Sequence, residues 1–184
     1  MSDAPAAKQH FKKATPDGDD RERDICGHCG FIDYRNPKIV VGSVLTFNGE
    51  ILLCRRAIEP RRGFWTLPAG FLELGETAEE GAKREAFEEA RVRPQFDQVL
   101  GVYSVPRISQ VQIFFRGTLS APEFSPGPES LDVKLFHWNE IPWSEIAFPT
   151  VFSALRHWRE TKDREGFPPF TDFAEGIHAS GAPA

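Results

Sequence analysis

Three glutamates dominate the stretch from residue 70 to residue 92, where Glu85, Glu88 and Glu89 stand at positions i, i+3 and i+4. On an α-helix of about 3.6 residues per turn, these side chains share one face. Like charges at this spacing destabilise a helix by about 0.2–0.5 kcal/mol per pair, so a bound cation would explain why the chain keeps them. Hard divalent ions such as Mg²⁺, or Mn²⁺ in its place, prefer carboxylate oxygens. An acidic face that only meets solvent is the competing interpretation.

The residues around this face predict where the helix begins and ends. Thr77 and Glu80 form a capping-box pattern, which predicts a helix over about residues 78–90. Arg84 lies one turn before the second glutamate of the acidic face and is placed to pair with it. The preceding loop, residues 70–75, contains glycines that allow the backbone to approach a phosphate or a metal closely.

This stretch resembles the Nudix box, which reads G, five residues, E, seven residues, then R-E-U-x-E-E-x-G-U, where U is aliphatic. The matching positions are Gly70, Glu76, Arg84, Glu85, Ala86, Glu88, Glu89 and Val92. Ala86 is small for an aliphatic position, and Arg91 stands where the family has glycine. If that position needs a left-handed backbone, arginine costs about 1 kcal/mol there.

Length, charge and cysteine content limit the possible classes of protein. A chain of 184 residues holds one domain with an extension, and no apolar run reaches the roughly 18 residues of a membrane span. The net charge of −5 argues against a nucleic-acid partner. Three cysteines and an N-terminus without an apolar core favour a reducing, cytoplasmic location without disulfides.

One cysteine knuckle precedes the main domain. Cys26 and Cys29 form the CxxC half of a zinc ribbon, whereas a closed zinc site needs about four ligands. The proteins that the chain resembles carry a second CxxC upstream, where this chain has Ala4 and Ala7. We therefore expect a degenerate ribbon without zinc. Substitution by two nearby histidines and completion of a site across a dimer stay open as alternatives.

The order of segments predicts an α/β domain. We expect disorder over residues 1–20, a ribbon-like segment over 21–36, the main domain over 37–160 and a mobile or surface-lying tail over 161–184. The predicted strands cover residues 39–47, 51–55, 99–105, 111–119 and 133–138, and a second helix covers 150–159. This order indicates a mixed sheet with helices packed on it. The resemblance implies the α/β/α Nudix sandwich.

Further segments are similar to one Nudix subgroup of bacteria and plants, whose plant members act on ADP-ribose and FAD. These segments are residues 36–42, 51–56, 65–70 and 126–130. The resemblance implies a pyrophosphohydrolase that acts on a small nucleoside diphosphate derivative. The expected reaction converts ADP-ribose to AMP and ribose 5-phosphate, or FAD to AMP and FMN. Many relatives dimerise, which implies a homodimer.

The resemblance also implies roles for individual residues. Glu85, Glu88 and Glu89 would hold Mg²⁺ together with the Gly70 carbonyl, and Arg84 would orient a glutamate. The general base would be a glutamate of the box or Glu129, which lies on a Pro/Gly-rich loop before a strand; a plain surface acid is the alternative for that residue. Four arginines would bind substrate phosphates, or alternatively would only face solvent: Arg55, Arg56, Arg61 and Arg62.

Three other functions stay open at this point. A Nudix-fold module that senses a nucleotide without cleaving it is favoured only by Arg91. An NADH pyrophosphatase is expected to carry a complete four-cysteine ribbon and an SQPWPFPxS-type motif, of which the first is half missing and the second is absent. A zinc-ribbon adaptor for nucleic acid is disfavoured by the net charge of −5.

Overall fold

The computed structural model describes residues 10–173, and the chain forms two compact units, residues 1–37 and 38–184. The first unit contains an antiparallel sheet of three strands in chain order. They are β1 (Phe11–Ala14), β2 (Arg23–Cys26) and β3 (Ile32–Asp33). The expectation of disorder over residues 1–20 is therefore wrong for β1, and residues 1–9 lie outside the described range. The sequence of β1 does not alternate apolar and polar residues, so it does not predict a strand. The strand forms because its backbone groups pair with those of β2.

The second unit is built on a mixed sheet. Its strands are β4 (Lys38–Phe47), β5 (Glu50–Arg56), β6 (Trp65–Thr66), β7 (Ala69–Phe71), β8 (Gln95–Val105), β9 (Gln110–Thr118), β10 (Ser130–Phe136) and β11 (Phe170–Phe173). The main order is β10-β5-β4-β9-β8-β11, with β6 beside β5 and β7 beside β4. The β4–β9 and β8–β11 pairs are parallel. The predicted mixed sheet is confirmed.

Two helices, α1 (Ala78–Ala90) and α2 (Pro149–Thr161), pack on this sheet. Helix α1 has the bounds that its capping box predicts, and Arg91 follows it with a left-handed φ of 59°. Three short 3₁₀ turns cover Pro106–Ile108, Trp138–Glu140 and Trp143–Glu145. Within residues 10–173, neither helix is long and apolar enough to cross a bilayer.

Successive residues of the central strands point to opposite faces of the sheet, as β-strand geometry requires. Val44 packs in the cluster that contains Leu155 of α2, whereas its neighbour Leu45 packs in the cluster that contains Ala86 of α1. The two helices therefore cover opposite faces of the sheet. The expected α/β/α sandwich is confirmed.

The C-terminal segment departs from the expectation. The tail was expected to be mobile or to lie over the surface from residue 161, and its paired strand β11, beside β8, was not predicted; residues 174–184 lie outside the described range. Arg116, buried on β9, donates to the carbonyls of Thr161 and Arg164, the latter at 2.9 Å. This guanidinium holds the chain after α2 beside the sheet. A polar, proline-rich sequence gives no local sign of a contact so distant along the chain.

Candidate active site

A capping box fixes the start of the helix that carries the acidic face. The Thr77 hydroxyl accepts a hydrogen bond from the Glu80 amide at 3.2 Å, and the Glu80 carboxylate accepts one from the Thr77 amide at 2.9 Å. Three alanines on one side of α1 are completely buried: Ala82, Ala86 and Ala90. Because small side chains allow close packing, this helix lies near the sheet and places its glutamates beside the strands.

The three glutamates of α1 are not equivalent. Glu85 and Glu89 are buried, with exposed fractions of 8% and 5%, while Glu88 is exposed. The Glu85 carboxylate lies directly against Gly70 on β7, and a Cβ at that glycine would overlap it. Gly70 therefore leaves the room that the buried carboxylate occupies.

Burial raises the pKa of both interior carboxyl groups. Desolvation, followed by the charge of Glu85, raises the pKa of Glu89 to about 8, although the Arg56 charge opposes this. Desolvation also raises the pKa of Glu85, against the hydrogen bond from Arg84. The Glu129 charge adds to both increases. Glu85 and Glu89 are thus two buried acids with raised pKa values, and the exposed acid Glu88 lies next to them. Such a cluster is typical of a functional site, and a bound cation would stabilise its ionised form.

Arg84 links the acidic face to the preceding loop. Its Nε donates to Glu76 at 2.6 Å, and its Nη1 donates to Glu85 at 2.6 Å and to Glu88 at 3.0 Å. Its Nη2 donates to the Phe71 carbonyl at 2.9 Å. The guanidinium therefore holds two of the three face carboxylates in place and ties them to β7.

The chemistry of this donor set fits a divalent cation. Carboxylates are hard oxygen donors, and Glu85, Glu88 and Glu89 supply them along a single helical turn. Within residues 10–173, no three acidic, histidine or cysteine side chains already converge on one point. Two of the carboxylates, those of Glu85 and Glu88, accept hydrogen bonds from Arg84.

Glu129 is exposed at the end of the loop that leads into β10. Its carbonyl accepts a hydrogen bond from the Ala57 amide at 2.8 Å, just after β5. Its charge raises the pKa of Glu85 and of Glu89, so the fold brings this distant loop acid near the buried pair.

The four candidate arginines lie at the end of β5 and on the loop that follows it. Arg55 Nε donates to the Gly63 carbonyl at 2.8 Å, and Arg56 Nε donates to the Pro60 carbonyl at 2.9 Å. Both therefore brace their own loop, and Arg56 also lowers the pKa of Glu89. Arg61 and Arg62 are exposed.

The sequence does not reveal that Cys54 on β5 lies beside Glu89. The thiol is buried at 1% exposure, and desolvation together with the Glu89 charge raises its pKa. The alternation of residues along β5 indicates on which face of the sheet Cys54 lies. Cys54 alternates with Leu53 on β5 and shares the face of Leu52, which packs with α1.

The cysteine knuckle of the first unit does not provide a comparable donor set. Cys26 is buried and Cys29 is exposed, and the backbone amides of Cys29 and His28 lower the pKa of the Cys26 thiol. Two thiols are half of a closed zinc site. Positions 4 and 7, both alanine, lie outside the described residues, and among residues 10–173 no group of three potential metal ligands includes these thiols.

Two family models match this chain. The NUDIX domain model matches residues 36–156, which include the acidic face and Glu129. The chain belongs to the Nudix hydrolase family. A second model, the Nudix N-terminal zinc ribbon, matches residues 8–35. The segment that matches this second model has one CxxC pair, Cys26 and Cys29.

Individual Nudix proteins support this assignment. An ADP-ribose pyrophosphatase of Methanocaldococcus jannaschii is 30% identical over 130 residues, 68% of this chain and 77% of that protein. The NAD-capped RNA hydrolase NudC of Pseudomonas syringae is 30% identical over 145 residues, 66% of this chain but 50% of that protein. A Nudix hydrolase structure from Nitrosomonas europaea has a TM-score of 0.82 and 42% identity, and the match covers 94% of this chain and 99% of that one.

Proposed function

We propose that this Nudix hydrolase is a Mg²⁺-dependent pyrophosphohydrolase that cleaves ADP-ribose to AMP and ribose 5-phosphate. The observation that carries the proposal is the buried pair Glu85 and Glu89, with raised pKa values, beside exposed Glu88. The ADP-ribose pyrophosphatase of M. jannaschii, matched over 77% of its length, supports the choice of substrate.

Glu85, Glu88 and Glu89 would hold the metal ion, with the Gly70 carbonyl as a further ligand. When bound, Mg²⁺ or Mn²⁺ would neutralise pyrophosphate oxygens and lower the pKa of a coordinated water. Arg84 keeps two of these carboxylates oriented, because its Nη1 donates to Glu85 at 2.6 Å and to Glu88 at 3.0 Å. Loss of such a supporting contact typically weakens metal affinity about 10–100-fold.

Glu129 would act as the general base that takes a proton from the attacking water. Its exposure allows it to exchange that proton with solvent, and its charge reaches the buried glutamates. Arg56 would contact a substrate phosphate, since its charge acts on the same cluster and its Nε is held by the Pro60 carbonyl at 2.9 Å. Arg55, Arg61 and Arg62 would assist at the rim.

A substrate panel tests this proposal. The purified protein is incubated with ADP-ribose, FAD or NADH, with Mg²⁺, with Mn²⁺ or with EDTA, and the products are identified by mass. We expect AMP and ribose 5-phosphate from ADP-ribose in either metal and no turnover in EDTA. Release of FMN from FAD at a higher rate would move the assignment to FAD.

A substrate of the NAD type, tested here with NADH, is the second candidate, because a relative named NAD-capped RNA hydrolase, from P. syringae, matches at 30% identity over half of its length. Faster cleavage of NADH than of ADP-ribose would favour that candidate. Binding of ADP-ribose without any product, in both metals, would instead favour a nucleotide-sensing module.

The assembly and location belong to the same proposal. We propose a cytoplasmic homodimer that acts on small nucleotides rather than on nucleic acid, and the net charge of −5 supports the latter choice. Light scattering at several protein concentrations tests the dimer. Retention on RNA at moderate salt would contradict the small-molecule assignment.

A further inference from the structure

The loop that carries Glu129 is bonded directly to the end of the helix that carries the acidic face. The Gly127 amide donates to the Glu89 carbonyl at 3.0 Å, and the Ser125 amide donates to the Ala90 carbonyl at 3.1 Å. The last carbonyls of a helix have no partner within it, so these two amides supply partners that the helix lacks. The backbone of Glu89 is thus joined to a loop almost forty residues further along the chain.

Gly127 makes this approach possible because it has no side chain. A Cβ at this position would overlap the Glu88 carbonyl oxygen and would lie 2.8 Å from the carbonyl carbon of the same residue and 3.4 Å from the Glu89 Cα. Helix backbone cannot move aside as a flexible side chain can. Gly127 does not have a left-handed φ, so lack of space, rather than backbone conformation, requires glycine here.

The contact also fixes the residues that follow it. The Ser130 amide donates to the Gly127 carbonyl at 3.0 Å, and the Glu129 carbonyl accepts from the Ala57 amide at 2.8 Å. Glu129 therefore lies between two anchored points, one on the acidic helix and one at the end of β5. Any displacement of Gly127 from the helix would move the Glu129 carboxylate relative to the buried glutamates.

We propose that Gly127 is a positioning residue for hydrolysis, which docks the Glu129 loop on the backbone of Glu88 and Glu89 and so sets the distance between the loop acid and the acidic face. This inference rests on the proposed function, and in particular on a catalytic role for Glu129. It adds a residue that lies outside the Nudix box and has no side chain of its own to react.

The test compares Gly127→Ala with Gly166→Ala, a glycine after α2 whose Cβ would meet nothing within 4 Å and whose φ is not left-handed. A displacement of about 1 Å costs roughly a hundredfold in rate, so kcat on ADP-ribose should fall about that much in Gly127→Ala while KM changes little. Gly166→Ala should match the wild type.

A double-mutant cycle separates positioning from simple loss of structure. In a Glu129→Gln background the acid is already gone, so Gly127→Ala should lower kcat there by no more than about twofold. An equal loss in both backgrounds, or no loss in either, overturns the inference. If Gly127→Ala does not fold, Ser125→Pro replaces it, because that change removes one of the two amide donors without adding bulk against Glu88. Its loss, about tenfold, should again need Glu129.

Amide hydrogen exchange tests the docking without any reference to activity. The amides of Ser125 and Gly127 should exchange slowly in the wild type, and that of Ser125 quickly in Gly127→Ala. Fast exchange of both in the wild type overturns the inference. If the panel of nucleotides yields no product, the proposed function fails, whereas slow exchange at both amides would still support the docking.

Discussion

The acidic face of α1 and the Cys26–Cys29 knuckle both have the sequence pattern of a metal site, yet they differ in what remains of it. The acidic face keeps its carboxylates, a glycine that makes room for Glu85, and an arginine that orients two of the three. The knuckle has two thiols, one buried and one exposed, and one of the two CxxC pairs of a complete ribbon. A ribbon segment can therefore form three paired strands around a single CxxC pair.

Backbone hydrogen bonds hold the knuckle in its ribbon shape. The Cys26 amide donates to the Phe31 carbonyl at 2.7 Å, and the Gly27 amide donates to the His10 carbonyl at 3.0 Å. Around them, Arg23 pairs with Asp19 at 2.8 Å. This half-buried ion pair adds to the order that backbone pairing of the three strands supplies. The acidic face has the opposite balance, since packing there buries two carboxyl groups whose pKa values are raised by that burial.

The largest expected effect is a loss of activity when the acidic face is changed. Glu89→Gln removes a buried carboxylate from the acidic face, and kcat on ADP-ribose should fall on the order of a thousandfold. Glu79→Gln, on the exposed side of the same helix, should leave kcat within about twofold, because Glu79 pairs with Lys83 at the surface. Steady-state kinetics of both variants checks this. Similar rates for the wild type and Glu89→Gln would remove the acidic face from the reaction.

The second effect is on stability in metal-free protein. The pKa of Glu89 is raised to about 8 from an ordinary value of 4.5. Between these values, the folded chain keeps a proton that the unfolded chain has released, so the free energy of unfolding falls as pH rises from 4.5 to 8. The loss should be on the order of a few kcal/mol, measured by urea unfolding in EDTA.

Glu89→Gln is the control for this pH dependence, because it removes the group that titrates. Its unfolding free energy should vary less between pH 5 and pH 8 than that of the wild type. Added Mg²⁺ should stabilise the wild type more at pH 8 than at pH 5, since the ion favours ionised carboxylates. A wild-type protein that becomes more stable over this range would contradict the burial of Glu89.

The features that the sequence predicted well are local ones. The bounds of α1 follow from Thr77 and Glu80, which are three residues apart and bond to each other. At Arg91, which stands where the family has glycine, a left-handed backbone was only one of the possible conformations, and the structure has it, with a φ of 59°. Such features depend on neighbours along the chain, so a short pattern is enough to predict them.

The features that the sequence did not predict depend on distant contacts. Strand β11 follows a polar, proline-rich segment and is ordered through Arg116, which comes from another strand. The approach of Gly127 to Glu88 joins a loop and a helix that no periodicity connects. The burial of Cys54 against Glu89 needs the sheet and α1 to be packed together. Propensity and spacing contain no information on these distances.

The third effect concerns how the acidic face is oriented. Arg84→Lys keeps the positive charge but loses the fork that bonds Glu85 and Glu88 at once, so Mn²⁺ affinity should fall about 10–100-fold. Isothermal titration with Mn²⁺ checks this. Lys83→Ala is the matched control, because it removes a neighbouring cation that pairs only at the surface with Glu79. Equal affinity in Arg84→Lys and the wild type would show that the guanidinium is not needed to arrange the carboxylates.

The smallest effect is expected at the knuckle. Cys29→Ser changes an exposed thiol, and the unfolding free energy should change by less than about 0.5 kcal/mol, since surface substitutions away from special contacts rarely do more. A structural zinc site would lose far more, because zinc binding in small ribbon-type modules is worth about 10–16 kcal/mol. Thermal unfolding together with the zinc content of the purified protein decides between these. Stoichiometric zinc in the wild type that is absent from Cys29→Ser would mean that a second chain, or residues outside 10–173, completes the site. The two regions would then be alike in binding metal and would differ only in where their ligands come from.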